Sequence, residues 1–253
     1  MITIEKIISM KNKEKIACLT AYDYPMAKIL DSAGIDIILV GDSAANVFAG
    51  ERTTLTISME EMLYHTRIVS RFVNNALVVA DMPFMSYQVS LDDAVYNAGR
   101  FLKAGAAAVK LEGGAPVIEA VGRMVSIGIP VMGHLGLTPQ SIHKLSGYKT
   151  QGRSDADAEK IFNDAKLLEQ TGCFALVLEK IPAELAKKIT GALKIPTIGI
   201  GAGAECDGQI LVLHDILGLF PDFTPKFVKK YAGIGDDIKE AVEQYRDEVK
   251  NSI

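Results

Sequence analysis

Eight short runs rich in apolar and β-branched residues alternate with stretches of helical periodicity, and that alternation restricts the fold more than anything else in this sequence. The runs fall at residues 15–21, 35–41, 76–81, 106–112, 130–133, 175–179, 197–200 and 210–213. Several are almost continuously hydrophobic, as in Ile35-Asp36-Ile37-Ile38-Leu39-Val40. Such runs suit parallel strands covered on both faces better than half-exposed antiparallel ones. Residues 25–33, 58–73, 91–104, 115–127, 155–171 and 183–193 place apolar side chains three and four apart, as helices do. Four helix-to-strand junctions carry Gly34, Gly105, Gly128 and Gly172, where a left-handed residue can close a helix. The pattern predicts an α/β chain forming one domain over residues 1–253, a (β/α)8 TIM barrel in preference to a doubly wound open sheet.

Two segments stand outside the repeat. Residues 136–153 are polar, with Pro139, Gly147 and Gly152, and are long enough for an active-site loop or lid. Residues 236–250 read as a C-terminal amphipathic helix whose stripe of Ile238, Ala241, Val242, Tyr245 and Val249 would cover the barrel or a neighbouring subunit.

Charge and cysteine content narrow the partners. With 27 Lys+Arg against 31 Asp+Glu, the net charge of −4 offers no basic field for nucleic acid or an anionic membrane. Cys18, Cys173 and Cys206 are odd in number and far apart, so neither a disulfide framework nor a thiolate zinc site is expected. The N-terminal stretch alternates charge with hydrophobe and lacks the apolar core of a signal peptide. A reducing, cytoplasmic setting is expected.

In a parallel barrel, reacting groups sit at the C-terminal ends of the strands. Here those ends carry acids: Asp42 after Val40-Gly41, Asp81 after Val79-Ala80, Glu112 after Lys110-Leu111, and Glu179 after Val177-Leu178. Any one of them alone is equally well explained as a helix cap or a surface ion pair. Four at one rim are explained that way much less well. The two-residue period puts Lys110 on the face of Glu112, setting a cation beside the acids. Converging carboxylates repel and protonate unless a positive group neutralises them, which a hard, oxygen-liganded magnesium or manganese ion does. His134 ends the fifth run and could donate within the pocket, although a lone histidine is more often structural. The glycine-rich segment 199–203 lets backbone approach a ligand but does not match a dinucleotide fingerprint.

The motifs Leu19-Thr20-Ala21-Tyr22-Asp23, Val40-Gly41-Asp42-Ser43, Ala80-Asp81-Met82-Pro83-Phe84-Met85, Val109-Lys110-Leu111-Glu112-Gly113-Gly114 and Gly133-His134-Leu135-Gly136-Leu137-Thr138-Pro139-Gln140-Ser141 follow one another in order. With Ile198-Gly199-Ile200-Gly201-Ala202-Gly203, they resemble the ketopantoate hydroxymethyltransferase family from about Ile16 to about Pro221. The resemblance implies a barrel of the phosphoenolpyruvate/pyruvate superfamily working in pantothenate and coenzyme A synthesis. It implies transfer of a hydroxymethyl group from 5,10-methylenetetrahydrofolate to 3-methyl-2-oxobutanoate, giving 2-dehydropantoate and tetrahydrofolate. By the same resemblance Asp42, Asp81 and Glu112 hold magnesium, Asp42, Ser43, Asp81 and Lys110 bind the oxo acid, and Glu179 transfers a proton. The resemblance also implies a large homo-oligomer, a decamer.

Two positions depart from the family pattern: Ala44-Ala45-Asn46 replaces a Leu-Gly-like pair, and Lys180 stands where a small or apolar residue is usual. Neighbouring strand residues face opposite ways, so Lys180 need not neutralise Glu179. His143, Lys144, Lys149 and Arg153 make the loop after the fifth run basic, which would suit the acidic glutamate tail of folate; a merely solvated loop explains them as well. Two rival readings stay open. One is another magnesium-dependent lyase or mutase of the same superfamily acting on a 2-oxo acid; the other is a non-catalytic barrel that binds one.

Overall fold

In the computed structural model, which describes residues 1–219 and 225–252, each of the eight apolar runs overlaps a strand. These are β1 (Ile16–Thr20), β2 (Ile37–Val40), β3 (Leu77–Asp81), β4 (Ala108–Glu112), β5 (Val131–Gly136), β6 (Ala175–Glu179), β7 (Thr197–Ile200) and β8 (Gly208–Leu211). Neighbours pair in parallel and in sequence order, and the sheet closes on itself as a barrel. The helices are α1 (Ile4–Met10), α2 (Tyr24–Ser32), α3 (Ala44–Val47), α4 (Met59–Ser70), α5 (Leu91–Lys103), α6 (Ile118–Ser126), α7 (Asp155–Thr171), α8 (Ala183–Ala192), α9 (Leu213–Leu217) and α10 (Ile234–Lys250). Pro221, at the far end of the motif series, lies outside the described residues.

Side-chain caps start several helices. Ser58 accepts from Glu61 N while the Glu61 carboxylate accepts from Ser58 N, a reciprocal box at the head of α4. Ser90 and Ser154 cap α5 and α7 in the simpler way. The four junction glycines all take positive φ. At Gly105, a Cβ would also meet Ser70 Cβ at 2.7 Å, so this turn needs glycine for space as well as for conformation.

The structure redraws several boundaries. β5 runs on through Gly136, beyond the expected end at residue 133, because His134, Leu135 and Gly136 pair with Val177, Leu178 and Glu179. β8 begins at Gly208 rather than Ile210, and Leu213 opens α9 instead of ending the strand. Gly208 sits so close to β1 that a Cβ would lie 2.5 Å from Ile16 O. Hydrophobicity does not reveal such a residue as part of a strand. The segment expected as a helix over 115–127 opens with a 3₁₀ turn, Ala115–Val117, containing Pro116.

The sequence pattern did not foretell α1. Its seven residues are too few to display a helical period. Thr3 accepts from Lys6 N to start it, and Ile7 and Met10 are buried with Ile16, Ile37, Leu77, Met132, Phe174, Ile198 and Ile210. Burying two such side chains contributes on the order of 1.5–3 kcal/mol each. Lys11, next in the chain, reaches into the protein to pair with Asp207 at 2.7 Å.

The chain divides into two compact units, Met1–Ile210 and Leu211–Ile253. The second holds α9, ended by left-handed Gly218, and α10, whose Ile238, Val242, Tyr245 and Val249 are exposed. No helix among the described residues is long and apolar enough to cross a membrane. Cys18, Cys173 and Cys206 are free and buried, and burial pushes the Cys173 thiol up to about 12. They pack; they do not react.

Candidate active site

Strand register determines which polar side chains meet. It sets Asp81 beside Lys110, Glu112 beside His134, and Gly136 beside Glu179. Asp42 follows β2 after Gly41, and its N–H donates to Asp81 Oδ2 at 3.3 Å. Lys110 Nζ lies 2.7 Å from Asp81 Oδ1 and 3.3 Å from His134 Nδ1. Asp42, Asp81, Lys110, Glu112 and His134 are all buried, with Glu179 half-buried at the edge of the group.

The His134 tautomer follows from its partners. A lysine ammonium can only donate, so Nδ1 accepts and Nε2 carries the hydrogen. That Nε2 lies 3.3 Å from Glu179 Oε2, close but not aligned as a hydrogen bond. Burial, reinforced by Lys110, holds the imidazole well below its usual range and therefore neutral. The four side chains form one row across the barrel mouth, from Asp81 through Lys110 and His134 to Glu179.

Burial dominates the electrostatics. It raises Asp81 and Glu112 above the usual carboxylate range, with Lys110 opposing and Asp42 adding to the rise. Burial alone would lower Lys110, but Asp81, Glu112 and Asp42 outweigh it and keep the ammonium charged. Glu179 is pushed up to about 7 by burial, against the smaller pull of Lys110 and Lys180. Lys180 itself turns away, donating to Tyr148 O at 2.7 Å, from a backbone with φ of 43°.

Ser43 stands next to Asp42, its Oγ 2.8 Å from Tyr22 OH. Tyr22 is in turn held by His65, whose Nδ1 lies 2.7 Å from Tyr22 O. Ala44 and Ala45 are buried and line a cavity of about 340 Å³ with Phe48, Tyr64 and His65. Asp42, Asp81, Glu112 and Glu179 do not line it.

The sequence reading missed Gln140 and Tyr87. Gln140 belongs to a 3₁₀ turn, Pro139–Ser141, in the loop after β5, and is buried. Its side chain donates to Asp42 Oδ2 and to Met82 O, each at 2.9 Å, and its backbone N–H donates to Glu112 Oε2 at 2.9 Å. Tyr87 OH donates to Gln140 Oε1 at 2.8 Å and accepts from Glu112 N at 3.1 Å. Gln140 had been visible only as one letter of a motif. An uncharged amide in a polar loop carries no pattern that marks it as buried.

Whether Asp42, Asp81 and Glu112 suit a metal depends on donor type and charge. Carboxylate oxygens are the donors a hard divalent cation takes, and three buried acids around one lysine leave negative charge to neutralise. In both respects the residues fit magnesium. As the side chains stand, no three His, Cys, Asp or Glu groups among the described residues are gathered around one point. Lys110 and Gln140 hold the oxygens instead.

Comparison with known proteins identifies the family. The family model of ketopantoate hydroxymethyltransferase matches residues 1–253. A 3-methyl-2-oxobutanoate hydroxymethyltransferase of Syntrophus aciditrophicus (strain SB) is 60% identical over 99% of this chain and 93% of its own length. One from Clostridium botulinum (strain Loch Maree / Type A3) is 58% identical over 99% of this chain and 92% of its own. Among solved structures, 2,3-dimethylmalate lyase of the PEP mutase/isocitrate lyase superfamily shares the fold, with a TM-score of 0.63 and 16% identity over 100% of this chain and 89% of that one. The full-length family match and the two near relatives establish that this chain belongs to the ketopantoate hydroxymethyltransferase family.

Proposed function

We propose that this chain transfers a hydroxymethyl group from 5,10-methylenetetrahydrofolate to 3-methyl-2-oxobutanoate, giving 2-dehydropantoate and tetrahydrofolate, as a step in pantothenate and coenzyme A synthesis. The observation that carries the reading is the row Asp81–Lys110–His134–Glu179 across the mouth of a barrel that matches the family from end to end. Asp42, Asp81 and Glu112 are the residues that would hold magnesium, and the ion would supply Lewis-acid stabilisation of charge developing on the keto oxygen.

The chain's own groups account for the rest. Lys110, permanently cationic, and Ser43, oriented by Tyr22 OH, hold the substrate carboxylate. That fixes the substrate carbon next to the incoming one-carbon unit, converting an encounter into a positioned reaction. Glu179, with its pKa raised to about 7, takes up and releases protons near neutrality. The neutral His134 sets its Nε2 3.3 Å from Glu179 and keeps Lys110 from pairing with that carboxylate directly. Burial of the row excludes water and strengthens each charge interaction.

Solvent exchange tests the reading. With magnesium and folate present, the C3 hydrogen of 3-methyl-2-oxobutanoate exchanges into deuterium oxide, followed by proton NMR, and 2-dehydropantoate forms. Absence of both overturns it. Product formation that needs folate separates this activity from the lyases and mutases that share the fold.

Two further parts belong to the same proposal. The exposed His143, Lys144, Lys149 and Arg153 attract the folate glutamate tail; among the described residues none of them pairs with an acid. The chain assembles as a homodecamer, a reading supported by the exposed apolar stripe of α10.

A further inference from the structure

We infer that Gln140 is a positioning residue that decides which oxygens of Asp42 and Glu112 are left free for a metal and substrate, and that Tyr87 holds Gln140 in that role. The inference rests on the proposed metal site and adds to it a part of the loop after β5.

The geometry allows little freedom. One residue of that loop bonds groups near three strand ends: Asp42 after β2, Met82 O after β3, and Glu112 at the end of β4. Both amide hydrogens of its Nε2 are used, one on Asp42 Oδ2 and one on Met82 O. The backbone N–H takes Glu112 Oε2. These bonds leave Asp42 Oδ1 and Glu112 Oε1 as the oxygens not bound to Gln140. A carboxylate rotates readily about its last bond, so without such a donor each could present either oxygen.

Tyr87 completes the arrangement. Its hydroxyl donates to Gln140 Oε1, and Gln88 Nε2 approaches the same oxygen at 3.3 Å. With its carbonyl oxygen so occupied, the amide must turn its NH₂ toward the acids. A glutamate at this position would lack both donors and bring another negative charge into a buried group already rich in acids. A methionine would keep the volume and lose every side-chain bond. The asymmetric use of the two amide ends is what selects glutamine.

The inference predicts a large effect on ion binding in a protein that still folds. Hydrogen bonds made to a metal's ligands typically govern about 10- to 100-fold in metal affinity. The probe is Mn²⁺ alone, followed by electron paramagnetic resonance, with far-UV circular dichroism and thermal unfolding on the same samples. Gln140→Met weakens Mn²⁺ binding by roughly 10- to 100-fold. Gln140→Glu does not restore it. Tyr87→Phe, which removes one hydroxyl and keeps the ring packing, weakens it by about three- to tenfold, and carries the test alone if Gln140→Met fails to fold. In steady-state assays the folded variants lose kcat as well as gain KM, because misaligned oxygens affect the reacting state and not only substrate capture.

Mn²⁺ affinity within twofold of wild type in a folded Gln140→Met overturns the inference and leaves the proposed function standing, as does unchanged affinity in Tyr87→Phe. Failure of the wild-type chain to bind Mn²⁺ overturns the metal reading, and this inference with it.

Discussion

Removing the Asp207 carboxylate destabilises the barrel without harming its chemistry. Asp207 lies just before β8, with its Oδ2 accepting from Lys11 Nζ at 2.7 Å, Thr197 N at 2.8 Å and Thr197 Oγ1 at 3.2 Å. The Lys11 and Asp207 side chains are only 7% and 4% exposed, so neither charge has water to fall back on. In Asp207→Ala the Lys11 ammonium stays buried with Thr190 O, at 3.0 Å, as its remaining partner, and Thr197 N loses its acceptor. Breaking a buried pair from one side costs about 3–5 kcal/mol, most of it the penalty of the stranded charge. At roughly 2–4 °C per kcal/mol for a chain of this size, the melting temperature falls by about 6–20 °C. Calorimetry at fixed protein concentration reads the shift. Lys11→Met in the same background recovers part of the loss by removing the stranded cation. Because these residues lie at the start of β7 and β8, the end opposite the acids, kcat per folded molecule stays within about threefold. A loss below about 1 kcal/mol, or a double variant less stable than the single one, would refute the reasoning.

Four other outcomes are expected. Glu179→Gln lowers kcat by about 10²- to 10⁴-fold, and removes the wild-type rise of kcat/KM with pH through about 7, since burial keeps that carboxyl protonated below this value. The same shift has a stability sign: the folded state holds a proton that the unfolded chain releases near 4.5, so wild type loses stability relative to Glu179→Gln as pH climbs from 4.5 to about 7, measured by urea unfolding across that window. Lys149→Ala and Arg153→Ala raise KM for polyglutamylated folate more than for the monoglutamate; an equal change for both contradicts the tail-binding role of the loop. Size-exclusion chromatography with light scattering gives the mass of ten chains of 27.3 kDa, and Val242→Asp with Tyr245→Asp on α10 reduces it.

Much of the barrel could be read from the sequence because two local signals agree. Parallel strands buried on both faces must be nearly all apolar, and the turns between helix and strand need residues that tolerate positive φ, as Gly34 and Gly172 do. The strand-end acids stood out for the same reason: Asp81 and Glu112 break off runs of hydrophobes. What escaped is what depends on distance across space. Gln140 bonds to residues 98 and 28 positions away, and Lys11 to one 196 away, so neither leaves a trace in local periodicity. Gly208 escaped because backbone proximity, not side-chain character, puts it in β8.

The row from Asp81 to Glu179 also explains why a lysine and a histidine must stand together inside an acid-rich mouth. Lys110 in direct contact with Glu179 would hold that carboxylate ionised and keep it from taking up a proton near neutrality. Register prevents this by fixing Lys110 beside Asp81 and setting His134, one strand over, between the ammonium and Glu179. The imidazole accepts from the lysine on one side and lies 3.3 Å from Glu179 on the other, so a neutral ring stands between that carboxylate and the lysine's charge. Burial then dominates at Glu179 and lifts it to about 7, while direct contact keeps Lys110 charged. Two groups two strands apart thus take opposite electrostatic states from one shared row, which is what a site needs if it is to hold an anionic substrate and move a proton at the same pH.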